Sequence, residues 1–208
     1  MPQYKICEPV AWDFIKINPE LETIARNASA VCFGSLAQRG LVSRWSIRRF
    51  IELVPSIAYK VFDINLRQQF YSEKLIRESL GLCNVLKIND EELSVVSGMF
   101  GLSDSQDEIC KTLINVYNLR LLVLTCGTNG SYLYTVNQKS FRETPVIQVA
   151  DTVGAGDSFT AAIIVGLLND VLLEEIHEMA VRLSAFVCTK NGAMPDYDLE
   201  NINKVFDS

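Results

Sequence analysis

Short apolar runs rich in β-branched residues alternate along the chain with stretches whose apolar positions recur every three or four residues. The first pattern reads as strand and the second as amphipathic helix. Strands are expected at 30–33, 60–63, 84–88, 121–125, 131–136 and 146–149. Helices are expected at 19–27, 44–54, 73–80, 90–97, 105–117, 156–168, 173–188 and 199–206. The repeated order strand–helix–strand through the first two-thirds predicts a mostly parallel sheet covered by helices. The runs 121–125 and 131–136 are separated by a short segment carrying Gly127 and Gly130, which predicts an antiparallel hairpin added to that sheet.

Each strand runs into a polar or glycine-bearing segment. The first meets Gly34-Ser35, the second Asp63 to Arg67, and the third Asn89 to Glu92. The run 121–124 meets Thr125 to Gly130, and 146–149 meets Ala150 to Asp157. In a parallel sheet these carboxyl ends share one edge, and open α/β folds bind their ligands there.

Composition narrows the class. The 208 residues are 49% hydrophobic and 21% charged, which suits one α/β domain or two small ones and excludes disorder. A net charge of −6 argues against nucleic-acid binding through a general basic surface. The longest apolar stretch, 161–168, is far short of a membrane span. The first ten residues show no basic segment followed by an apolar one, so a cytoplasmic protein is expected. The six cysteines show no metal or redox spacing and read as buried, reduced thiols. His177 is the only histidine; it falls in the acidic stretch 174–178 and reads as a surface or helix-face residue. A histidine metal cluster is therefore excluded.

The sharpest chemistry lies in Asp151-Thr-Val-Gly-Ala-Gly-Asp-Ser-Phe-Thr160, between an apolar run and an apolar helix. Small residues let the backbone turn tightly and approach a ligand. The first amides of a helix lack internal partners and sit at its positive end, so such a start suits phosphate. No Gly-Lys-Ser/Thr follows, and Phe159 stands where a dinucleotide fingerprint needs its third glycine. Asp157 in the first turn reads either as a carboxylate that complements the helix dipole or as a general base beside an anion hole.

The segment Asp-Thr-Val-Gly-Ala-Gly-Asp-Ser-Phe-Thr-Ala-Ala from Asp151 resembles the second signature of PfkB-type sugar kinases. The rest of the chain agrees in order. Val31 to Leu36 resembles the family strand that ends in Gly-Ser. Phe62 to Arg67 resembles its Asp-x-Asn-x-Arg segment, as in fructokinase-like members. Asn89 and Glu92 match Asn-x-x-Glu, and Thr125 to Gly130 match Thr-x-Gly-x-x-Gly. Asn191-Gly192-Ala193 resembles a late loop bordering nucleotide and cation.

The resemblance implies a ribokinase-like α/β/α sandwich with a mostly parallel sheet, here one domain over 1–208. It implies an ATP-dependent kinase acting on a fructose-like sugar. Asp157 would be the base, and the amides of Gly154, Ala155 and Gly156 the anion hole. Asn89 and Glu92 would organise Mg²⁺ and phosphates through water, and Arg67 would neutralise phosphate charge. Thr125, Gly127, Gly130 and Asn191 would lie along the ATP. Backbone carbonyls of Asp151, Val153 and Ala193 would hold K⁺. Local readings remain beside these: Asn89 as a helix cap, Arg67 as a surface residue, Gly127 and Gly130 as turn glycines. The family's first Gly-Gly-Asn-type signature, N-terminal strands and β-lid have no counterpart. A homo-oligomer, or a separate N-terminal portion, is the expected cover for the sheet edge this leaves. A non-catalytic nucleotide-binding or interaction remnant of such a kinase is the alternative.

Overall fold

In Leu121–Thr125 the first four residues are all buried. Neighbours in a strand point to opposite faces, so this run must be covered on both sides, as in a parallel sheet. The computed structural model, which describes residues 6–196, places it centrally in a sheet of six strands. These are β1 (Ala30–Phe33), β2 (Tyr59–Asp63), β3 (Val85–Asn89), β4 (Leu121–Thr125), β5 (Ser131–Tyr134) and β6 (Lys139–Arg142), in that spatial order. β1 to β4 are parallel, and β5 and β6 are antiparallel to their neighbours.

The strand side chains sort into two layers. Phe62, Leu86, Ile88, Leu122 and Leu124 face α2 (Leu41–Leu53), α3 (Glu73–Leu80), α4 (Asp90–Phe100) and α5 (Gln106–Tyr117). Val61, Val85, Leu121, Val123 and Leu133 face α6 (Ala155–Leu168) and α7 (Leu173–Cys188). Ala25 of α1 (Pro19–Asn27) joins Val54 and Ala58 in a satellite cluster against Val31 of β1. The result is the expected α/β/α sandwich. Side-chain caps set several helix starts: Asn18 accepts from the Leu21 amide and Ser72 from the Leu75 amide.

The expected strand at 146–149 does not form. Val146 and Val149 are exposed, and no neighbouring strand offers them a ladder. Ala150 instead donates to the Cys188 carbonyl at the end of α7. The sixth strand is the polar run Lys139–Arg142, which gains its ladder from β5. The helix expected at 199–206 lies outside the described residues. Among the described residues no helix is long and apolar enough to cross a membrane. No cysteine is disulfide-bonded, but only Cys83, Cys110 and Cys126 are buried. Cys32 is exposed because β1 is the outer strand and contributes nothing to the α6–α7 layer.

His177 is also a correction. Its ring is fully buried, on the stripe of α7 that carries Ile176, Ala180 and Val181. Glu174, Glu175 and Glu178 fall outside that stripe, so helical period overrides the acidic local composition. Nε2 lies 2.8 Å from the Ser131 hydroxyl and Nδ1 lies 2.9 Å from that of Ser140. Burial, then the nearby Arg142 charge, pull its pKa from 6.5 to about 4, against an opposing effect of Glu174. Between these two values the unfolded chain binds a proton that the folded chain refuses, so stability rises with pH there. Urea melts should show this contribution intact above pH 6.5, lost as pH falls toward about 4, and level below. His177→Gln should flatten that part of the profile; an unchanged profile would remove His177 as its source.

Candidate functional site

The carboxyl ends of β1, β2, β3 and β4 meet along one edge, and the start of α6 lies over it. Strand register sets the first neighbours: Asp63 is paired with Lys87, and Asn89 with Thr125. The Lys87 Nζ lies 3.0 Å from Asp63 Oδ1, and both side chains are only 12% exposed. The Thr160 hydroxyl of α6 lies 3.1 Å from Asp63 Oδ2 and 2.9 Å from the Gly156 carbonyl. A methyl group on Gly156 would stand 3.2 Å from Lys87 Nζ. A nearly water-free Lys–Asp pair therefore sits directly beneath the first turn of α6.

Asp157 is exposed in that turn. Cys32 of β1 borders the same place. Although the residue is exposed, crowding of its thiol and the charges of Asp63 and Asp157 push its pKa up to about 11. It is therefore a neutral thiol at physiological pH rather than a nucleophile.

Gly154 caps α6 in the left-handed region, with φ +85, and a Cβ there would stand 2.5 Å from the Ala193 carbonyl oxygen. No other residue serves both demands. Asp151 ties the same two loops together: its carboxylate accepts from the amides of Val153 at 3.0 Å and Gly192 at 3.3 Å. Those hydrogen bonds hold its carboxyl below the usual range. Of the three expected anion-hole amides, that of Ala155 donates to the Thr152 carbonyl at 3.3 Å.

Glu92 is buried, and both its oxygens are engaged. One accepts from the Leu66 amide at 2.9 Å and the other from the Asn89 amide at 3.0 Å. Asn89 Oδ1 accepts from the Glu92 amide in return, completing a capping box. Burial raises the Glu92 pKa, against the lowering effect of those amides. The glutamate thus fixes the loop before Arg67. Arg67 is exposed, and its Nη1 donates to the Leu66 carbonyl at 3.2 Å.

The turn after β4 is held from behind. Cys126 donates to the Gly130 carbonyl, and Thr144 donates to the Gly127 carbonyl while accepting from the Gly130 amide. Gly130 has φ +98, and a Cβ there would stand 2.5 Å from the Arg142 carbonyl oxygen.

The fold thus gathers Asp157, Gly154, Gly156, Asp151, Val153 and Ala193 around the start of α6, with Asn89, Glu92 and Thr125 at the adjoining strand ends. Gly127, Gly130, Asn191 and Arg67 line loops at the rim. Lys87 and Thr160 escape the sequence reading, and Asp63 enters it as a strand end and as the first residue of the Asp-x-Asn-x-Arg match, with no role of its own. The available signal was a lysine inside an otherwise apolar parallel strand, which needs a buried partner.

A model of the pfkB family of carbohydrate kinases matches residues 15–199. Fructokinase-2 of Solanum lycopersicum is 30% identical over 149 residues, covering 64% of this chain and 43% of its own length. The Escherichia coli fructokinase is 28% identical over 144 residues, covering 64% of this chain and 46% of its own length. The chain thus spans about half the length of the curated relatives it matches. Among solved structures, a Vibrio cholerae fructokinase bound to fructose, ADP and calcium superposes with a TM-score of 0.73 at 24% identity, over 85% of this chain and 60% of its own. A Xylella fastidiosa fructokinase with bound ATP superposes with a TM-score of 0.74 at 18% identity, over 89% of this chain and 63% of its own. At such identities the two superpositions establish the fold.

Proposed function

Because the chain belongs to the pfkB family of carbohydrate kinases, we propose that it serves ATP-dependent phosphoryl transfer to the hydroxyl of a fructose-like sugar. The sugar oxygen attacks the γ-phosphorus, its proton passes to Asp157, and ADP departs. One observation supports this most: a helix start with a carboxylate in its first turn lies over a lysine held in a nearly water-free pair. Phosphoryl transfer needs little else from a protein than placed positive charge, oriented amides and a positioned acceptor. The amides at 154–156 face the transferring group, that of Ala155 already donating to the Thr152 carbonyl. Lys87 neutralises phosphate charge from below and Arg67 from the rim. The loops at 125–130 and 191 flank the nucleotide.

The donor sets suit the two expected cations. Each oxygen of the buried Glu92 already accepts from one amide, and this residue would meet Mg²⁺ through water. The Asp151 carboxylate accepts from two amides, and the backbone carbonyls of Asp151, Val153 and Ala193 would hold K⁺. When bound, Mg²⁺ and K⁺ would offset phosphate charge. Calorimetry with ATP and Mg²⁺ tests the nucleotide half of the reading, and a folded chain that ignores millimolar ATP would defeat it.

A second reading, nucleotide binding without efficient transfer, draws on the exposure of Asp157 and Cys32 on the acceptor side. Holding an acceptor in reach can be worth about 7–11 kcal/mol of barrier, and an open site leaves water as the competing acceptor. ADP release with added fructose or ribose separates the readings. Sugar-stimulated turnover of about 1–100 per second supports the kinase reading. Slow release indifferent to sugar supports the second.

A further inference from the structure

The buried histidine of α7 has a fixed hydrogen-bond order. Ser140 donates its single proton to Glu174 Oε2 at 2.6 Å, so its oxygen accepts from His177 Nδ1–H. In the neutral ring Nε2 is then the acceptor, and Ser131 donates to it. The chain Ser131–His177–Ser140–Glu174 has one direction from end to end. Arg142 closes it outside, with Nη2 3.3 Å from Glu174 and Nε 3.2 Å from Glu178.

Both ends of this chain bear on the turn after β4. Ser131 directly follows Gly130 and pairs with Thr125 across the hairpin. The Arg142 carbonyl is the surface against which Gly130 packs, and Thr144, two residues on, clamps Gly127 and Gly130. At its other end α7 leads to the 191–193 loop, where Ala193 meets Gly154. One helix therefore carries two rims of the crevice.

We propose that His177 is a positioning residue for nucleotide binding: through Ser131 and Ser140 it locks the 126–130 turn onto α7, so that this turn and the 191–193 loop hold a fixed separation. The inference rests on the assignment of the turn to the nucleotide. His177 touches neither nucleotide nor sugar and acts only through the hairpin.

The test compares the wild-type chain with His177→Ala, Ser131→Ala and Leu80→Ala, the last a buried truncation on α3, in the helix layer on the opposite face of the sheet from α7. Each is measured by calorimetric titration with ATP and Mg²⁺ and by amide hydrogen exchange. A hydrogen bond is typically worth a few-fold to tenfold in an equilibrium constant, so loss of two should weaken ATP binding about tenfold. His177→Ala is expected to show that loss with faster exchange at 126–131, and Ser131→Ala a smaller version of both. Leu80→Ala should lower the melting temperature and leave both readings unchanged. Should His177→Ala fail to fold, the Ser131→Ala comparison decides. Unchanged affinity and exchange in the hairpin variants, or equal changes in Leu80→Ala, overturn the proposal. A wild-type chain that does not bind ATP defeats the nucleotide assignment. The exchange pattern then still decides whether His177 locks the turn.

Discussion

Asp157→Asn is expected to lower phosphoryl transfer to a sugar by at least about 10²-fold, the lower range for acid–base catalysis, with ATP affinity nearly unchanged. The asymmetry follows from placement. The carboxylate projects from the first turn of α6 on the exposed side, whereas the groups proposed to meet the phosphates are backbone amides and the lysine beneath. An asparagine there preserves the size of the side chain and removes its capacity to take a proton. It also removes a negative charge next to the phosphates, so ATP binding should strengthen if it moves at all. ADP release with added fructose, set beside a calorimetric ATP titration, reads both halves. Wild-type turnover in this variant would remove Asp157 from the mechanism. A parallel collapse of ATP affinity would instead mean that the residue holds the loop together.

Much of this architecture is legible in the chain, for reasons that differ by element. Helices α1, α3 and α7 fall on their expected bounds because a cap or a sustained helical period marks each. The run at 146–149 has the composition of a strand, but a strand needs a neighbouring strand, and the residues that follow it, Ala150 and Asp151, donate instead to the Cys188 carbonyl at the end of α7. Lys139–Arg142 is the converse, polar in composition yet supplied with a partner by the hairpin. Pairing is a tertiary property and leaves little trace in a four-residue window. The acidic neighbours of His177 suggest the surface, whereas the spacing 176, 177, 180, 181 places it on the buried stripe. Within the site, the glycine-rich helix start is a contiguous signal, whereas the Lys87–Asp63–Thr160 cluster joins three distant segments. Only strand register and the seating of α6 bring it together.

That cluster carries the other large expected effect. Lys87→Met should destabilise the fold by about 3–5 kcal/mol, the usual cost of removing one partner from a buried ion pair. The pair qualifies because both side chains are 12% exposed at a 3.0 Å separation, so without the lysine Asp63 would be left with the Thr160 hydroxyl as its side-chain partner. Lys87→Met combined with Asp63→Asn should recover most of the loss, since the unpaired charge goes with the carboxylate. Denaturant melts of the two single variants and the double variant measure this coupling directly. Binding separates function from structure in the same set. If Lys87 meets the phosphates, Lys87→Met and the double variant should both lose about 10–100-fold in ATP affinity, the range for a hydrogen bond to a charged group. Asp63→Asn alone should lose none, because it leaves the ammonium in place and removes its competitor. Full ATP affinity in the refolded double variant would reduce Lys87 to a structural partner of Asp63. Equal loss in Asp63→Asn would show that the carboxylate, by orienting the ammonium, is as necessary to the site as the lysine itself.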